Sequence, residues 1–137
     1  MNDAVQKRLD QIRAVAKDCG YAIGVHGSER RDLDLIAVPW TPEAVSADQL
    51  VTRLCEEVGL RERYCNIYPD GRTTPNPEPK PWGRWAYSLD GIPAPLQYLD
   101  LSVAPRAGEP VPLLTFAGAL GLAESLGWIK PTQNQMT

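Results

Sequence analysis

The sequence predicts an α+β fold, a mixed β-sheet with helices packed on it, and three observations carry that prediction. Apolar residues recur at helical spacing near the start and the middle of the chain, while the segments between them have the composition of strands. The order helix, strand, strand, helix, strand, strand, strand, helix suits helices layered on a mixed sheet. The length of 137 residues corresponds to about one domain and can bury a core without disulfide or metal staples. No internal repeat divides the chain, so residues 1–137 read as a single domain.

Asp3 can cap the first helix. Val5, Leu9, Ile12, Ala16 and Cys19 recur there at three- and four-residue steps, with Lys7, Arg8, Asp10, Arg13 and Lys17 on the other faces. Gly20 ends it, because the left-handed conformation costs glycine little. Residues 21–25 read as a short strand, broken by His26-Gly27-Ser28. Residues 32–38 form the next strand and Pro39 stops it, since proline cannot donate to a ladder. Ser46 followed by Gln49 has capping-box spacing, and Ala47, Leu50, Val51, Leu54, Cys55 and Val58 make the buried stripe of a second helix closed by Gly59.

Residues 60–68 contain a further strand. Five prolines in the 13 residues 69–81 predict an extended loop. Residues 82–89 are strand-like, residues 90–95 carry turn chemistry, and residues 96–103 are a strong strand that can pair with the one before it as a hairpin. Residues 115–126 read as a last helix, weakened by Gly118 and Gly121 and ended by Gly127. Leu113, Leu114, Phe116, Leu120 and Leu122 of that region suit a core or a dimer face.

Composition removes several classes of function. With 43% hydrophobic and 23% charged residues the chain is close to the globular average, which excludes wholesale disorder. Fourteen Lys and Arg against 17 Asp and Glu give a net charge of −3, unsuited to wrapping duplex nucleic acid by bulk electrostatics. A single histidine, His26, rules out a multi-histidine zinc site. Cys19, Cys55 and Cys65 show no CxxC spacing and read as small core residues of a reducing compartment. The charged N-terminus and the short uncharged run at residues 110–123 predict neither a signal peptide nor a membrane span, hence a cytoplasmic protein.

Three carboxylates stand out against this background. Asp32 and Asp34 lie two apart on one strand and so share a face, and Asp100 interrupts the apolar pattern of another strand. Acids are poor strand formers. A solvated sheet face also places acids at alternate positions. If the two strands are neighbours, however, the three charges converge and repel, and a hard divalent cation such as Mg²⁺ relieves the repulsion.

The segment His26-Gly27-Ser28-Glu29-Arg30-Arg31-Asp32-Leu33-Asp34-Leu35 resembles the signature of the DNA polymerase β-like nucleotidyltransferase superfamily. Gly27-Ser28 match its Gly-Ser pair, Asp32 and Asp34 its Asp-x-Asp pair, and Leu99-Asp100-Leu101 its third carboxylate in an apolar setting. The resemblance spans residues 21–103 and extends to the minimal antitoxin-type members and to small phage and bacterial proteins grouped with them. It implies a nucleotidyltransferase-like fold and a two-metal Mg²⁺ site on Asp32, Asp34 and Asp100 as the catalytic residues. It further implies an NTP held by Gly27, Ser28, Arg30 and Arg31, and transfer of a nucleoside monophosphate to a hydroxyl; for a phage protein the setting is the host cytoplasm. Only Glu29, Arg30 and Arg31 separate Ser28 from Asp32, too few for the short helix that presents N–H groups to a triphosphate in the family. The guanidinium forks of Arg30 and Arg31 suit phosphate in its place.

Two further readings stand beside an active transferase. One is a catalytically inactive module on the same fold that binds a nucleotide, protein or RNA, in a phage or toxin–antitoxin role. The other is a metal-dependent phosphodiesterase or nuclease using the same carboxylates. His26 reads as structural, beside the Gly-Ser turn. Arg72, Lys80 and Arg84 interleave with Trp82 and Trp85, so residues 69–85 are a candidate surface for a protein or single-stranded nucleic-acid partner. Trp85 and Trp82 otherwise cap the sheet, and Trp40 sits at the edge of the core.

Overall fold

The computed structural model describes residues 1–109. Helix α1 (Asp3–Asp18) buries Val5, Leu9, Ile12 and Ala16. Its N-cap is Asn2, whose side chain accepts a bond from the Val5 N–H, so Asp3 is not the cap but the first-turn acid, where it complements the helix dipole. Strands β1 (Tyr21–His26) and β2 (Asp32–Pro39) form an antiparallel hairpin. Helix α2 (Ala47–Val58) carries the full Ser46–Gln49 capping box and ends on Gly59 in the left-handed region. Its stripe buries Leu50, Val51 and Leu54 and leaves Cys55 half-buried.

The expected strand at 60–68 is two short ones, β3 (Arg61–Glu62) and β4 (Cys65–Ile67), in different sheets. The proline-rich stretch is not one extended loop. It contains β5 (Thr73–Pro75), which pairs with β4, and β6 (Glu78–Lys80), which pairs with a main-sheet strand. Proline is tolerated at both because these strands lie at edges, where a missing N–H leaves no ladder bond broken. A short 3₁₀ turn (Pro81–Gly83) then leads into β7 (Arg84–Asp90), and β8 (Tyr98–Val103) follows. β7 starts two residues later than expected because Trp82 takes a positive φ of 69° in that turn. Trp82 and Trp40 are both exposed, at 77% and 79%, so neither caps the sheet or the core. Trp85 does pack against the core.

The main sheet runs β1-β2-β8-β7-β3, with β6 alongside β7. β2 and β8 pair in parallel and the other neighbours are antiparallel, which makes the sheet mixed. Leu33, Leu35 and Ala37 of β2, Leu99, Leu101 and Val103 of β8, and Tyr87 and Leu89 of β7 share one core with the buried stripes of both helices. Alternation then sends Asp32, Asp34, Tyr98, Asp100 and Ser102 to the opposite, open face, where all are half-buried. The expected helix at 115–126 and the leucine-rich positions around it lie outside the described residues. Among the described residues no helix is long and apolar enough to cross a membrane.

Candidate metal centre

β2 and β8 bring together the three acids singled out in the sequence. In the parallel register Asp34 faces Asp100 and Asp32 faces Tyr98. One carboxylate oxygen from each of Asp32, Asp34 and Asp100 lies within 4.8 Å of the others. The frame is fixed at both ends of this strand pair. The Gln97 N–H donates to the Arg31 carbonyl at 2.7 Å, and the Ala104 N–H to the Ala37 carbonyl at 2.9 Å.

The electrostatics record the crowding. Burial, then the neighbouring Asp32 carboxyl, then the Asp100 charge raise the Asp34 pKa to about 6. Burial, followed by Asp32, also raises that of Asp100, while Lys80 and His26 pull it back. Tyr98 is raised in the same way, by burial and then by the charge of Asp32. All the donors are oxygens, and their repulsion is what a bound cation would relieve. The set therefore fits a hard divalent ion such as Mg²⁺.

The other expected site residues divide. Gly27 has a φ of 80°, and a β-carbon there would run into the Asp34 carboxylate, so only glycine lets the turn close over the acid. Ser28 and Arg30 are exposed beside it. No helical turn separates Ser28 from Asp32, as the three intervening residues required. Arg31 parts company with Arg30 and lines a cleft of about 280 Å³ together with Asp100, Arg63, Lys80, Tyr68 and Tyr98.

The sequence did not point to several of these groups. His26 is the cross-strand partner of Asp34, and its charge lowers the pKa of both Asp34 and Asp100, which places it at the site rather than simply beside the turn. Arg63 lies over the Tyr98 ring at 4.4 Å and pairs with Asp90 at 2.8 Å. The antiparallel pairing of residues 21–26 with 32–39 was the one local signal, since it sets His26 opposite Asp34. Arg63 and Tyr98 carried none. No family model, curated protein or solved structure matches the chain.

Proposed function

We propose that this protein is a nucleotidyltransferase-fold enzyme that moves a nucleoside monophosphate from an NTP to a hydroxyl acceptor with Mg²⁺. The observation that carries the reading is the convergence of Asp32, Asp34 and Asp100 on the open face of the sheet. These three residues would hold the cation, which when bound neutralises phosphate charge and lowers the pKa of an acceptor hydroxyl. Asp100 also lines the cleft, where it would face the hydroxyl and accept its proton. The acceptor oxygen would form its bond to the α-phosphorus as the bond to the β-phosphate oxygen breaks and pyrophosphate leaves. Arg31 lines the cleft, and Gly27, Ser28 and Arg30 form the turn that closes over Asp34.

A second reading, a nucleotide- or RNA-binding module without transfer, is favoured by one observation. The turn from Gly27 to Arg31 offers no helix N-terminus for a triphosphate. Titration calorimetry with Mg²⁺, MgATP and MgGTP separates the two. Transfer predicts cation-dependent nucleotide binding that Asp34→Ala abolishes, with pyrophosphate release. Nucleotide binding without pyrophosphate release, unchanged in Asp100→Asn, leaves the module. No cation binding at millimolar Mg²⁺ or Mn²⁺ sinks the metal reading.

A further inference from the structure

The stretch between β3 and β7 builds a wall over the open face of the sheet, and the Asn76 side chain holds it there. Its amide donates to the Arg63 and Ser88 carbonyls, the latter at 2.9 Å, while its oxygen accepts from the Ser88 N–H at 2.8 Å. Asn76 thus fills the gap along β7 between its pairings with β6 and with β3. Between the β4–β5 hairpin and the sheet lies the cleft of about 280 Å³ whose lining includes Asp100. Small-molecule sites are typically about 300–1,000 Å³, so this one suits a single monomer unit rather than a whole nucleoside triphosphate.

The lining has a definite chemistry. Arg31, Arg63 and Lys80 enter from three different segments. Lys80 is steadied by Glu78 at 3.3 Å and Arg63 by Asp90, whereas Arg31 is exposed and makes no ion pair among the described residues. The Tyr98 ring backs the Arg63 guanidinium, and Arg72 covers the Tyr68 ring at 4.4 Å on the hairpin wall. Ile67, also on the lining, is 75% exposed, and Tyr64, next to Arg63 in the chain, is 96% exposed. Cations interleaved with exposed aromatics match a phosphodiester backbone with unstacked bases.

We propose that this cleft holds the end of a single-stranded nucleic acid, with the backbone on Arg31, Arg63 and Lys80, the bases against Tyr68 and Tyr64, and the terminal hydroxyl toward Asp100. This rests on the transferase reading in one respect: Asp100 repels a phosphate unless the triad holds its cation. Mg²⁺, which ordinarily weakens protein–nucleic acid contacts by competing for phosphates, therefore strengthens this one.

Fluorescence anisotropy of a labelled 12-nucleotide single strand, DNA and RNA in separate arms, tests the proposal at about 50 mM salt in Mg²⁺ and in EDTA. A Mn²⁺ titration of each protein is run in parallel. The expected result is binding that is tighter in Mg²⁺ and at least tenfold weaker in Arg31→Ala and Lys80→Ala, with their melting temperatures and Mn²⁺ titrations unchanged. Arg31→Lys should recover part of the loss. Equal affinity in a variant carrying both Arg31→Ala and Lys80→Ala overturns the proposal, as does a mononucleotide that binds where the strand does not. Failure of the wild type to bind the strand while Mn²⁺ loads the triad overturns it and spares the transferase reading. Strand binding that depends on Arg31 and Lys80 without any Mn²⁺ binding supports the cleft and removes the metal.

Discussion

Burial and the adjoining Asp32 carboxyl push the Asp34 pKa up to about 6, from an ordinary value of 3.8. The folded state therefore binds that proton more tightly than the unfolded chain does. Its stabilising contribution is complete below about pH 4 and is lost as pH rises through about 6. Asp32 and Asp100 face Asp34 from β2 and β8 and oppose its ionisation, and His26 on β1 favours it. Asp34→Asn should accordingly stabilise the cation-free protein at pH 7 by about 1 kcal/mol once solvent screening is allowed for, read as a higher melting temperature. The same substitution should flatten the slope of stability between pH 4 and 6. Thermal melts in EDTA from about pH 4 to 7 check both, and an unchanged slope would mean that Asp34 ionises as a free carboxylate.

At the scale of elements, the segment from 63 to 80 shows how proline-rich chain becomes structure without joining a central strand. β4 and β5 form their own two-stranded sheet, and β6 lies on the outer edge of β7. Asn76 adds three side-chain hydrogen bonds to main-chain groups here, two at Ser88 and one at the Arg63 carbonyl. Removing it leaves the Ser88 N–H, which is part of a buried residue, without that partner. Asn76→Ala should then cost about 1–3 kcal/mol. The change should appear in hydrogen exchange as faster opening of residues 63–80 and of the outer side of β7, with α1 and α2 unaffected. Uniform acceleration across the protein would instead mark Asn76 as part of the global fold.

Over the whole molecule, stability and the site pull in opposite directions across one strand. Leu101 is fully buried on the helix side of β8, and its neighbour Asp100 stands on the open side. Leu101→Ala should cost about 2–5 kcal/mol through lost burial and the cavity left behind. A cation that binds only the folded state returns about 2.7 kcal/mol at a hundredfold excess over its Kd. Calorimetric melts should therefore show Mg²⁺ recovering part of the loss in Leu101→Ala and none of it once Asp100→Asn is added. Recovery in the double variant would place the stabilising cation elsewhere.

The sequence by itself determined the helices and the main strands. Local periodicity and capping are enough for α1 and α2, and the alternation in 32–38 and 96–103 already puts Asp32 with Asp34 on one face and the leucines on the other. It also determined that nothing helical fits between Ser28 and Asp32. Tertiary structure alone decided that β2 and β8 are parallel neighbours, with Asp34 against Asp100. That pairing joins segments far apart in the chain, and only the shared core under both strands selects it. A slip of one residue would turn Asp100 into the helix layer, so burial of Leu99, Leu101 and Val103 fixes the register that assembles the acids. His26 meets Asp34 within the β1–β2 hairpin, whereas the roles of Arg63 and Tyr98 and the folding of the proline-rich stretch onto β7 follow from the same long-range packing. No local pattern encodes which distant strand a side chain will face.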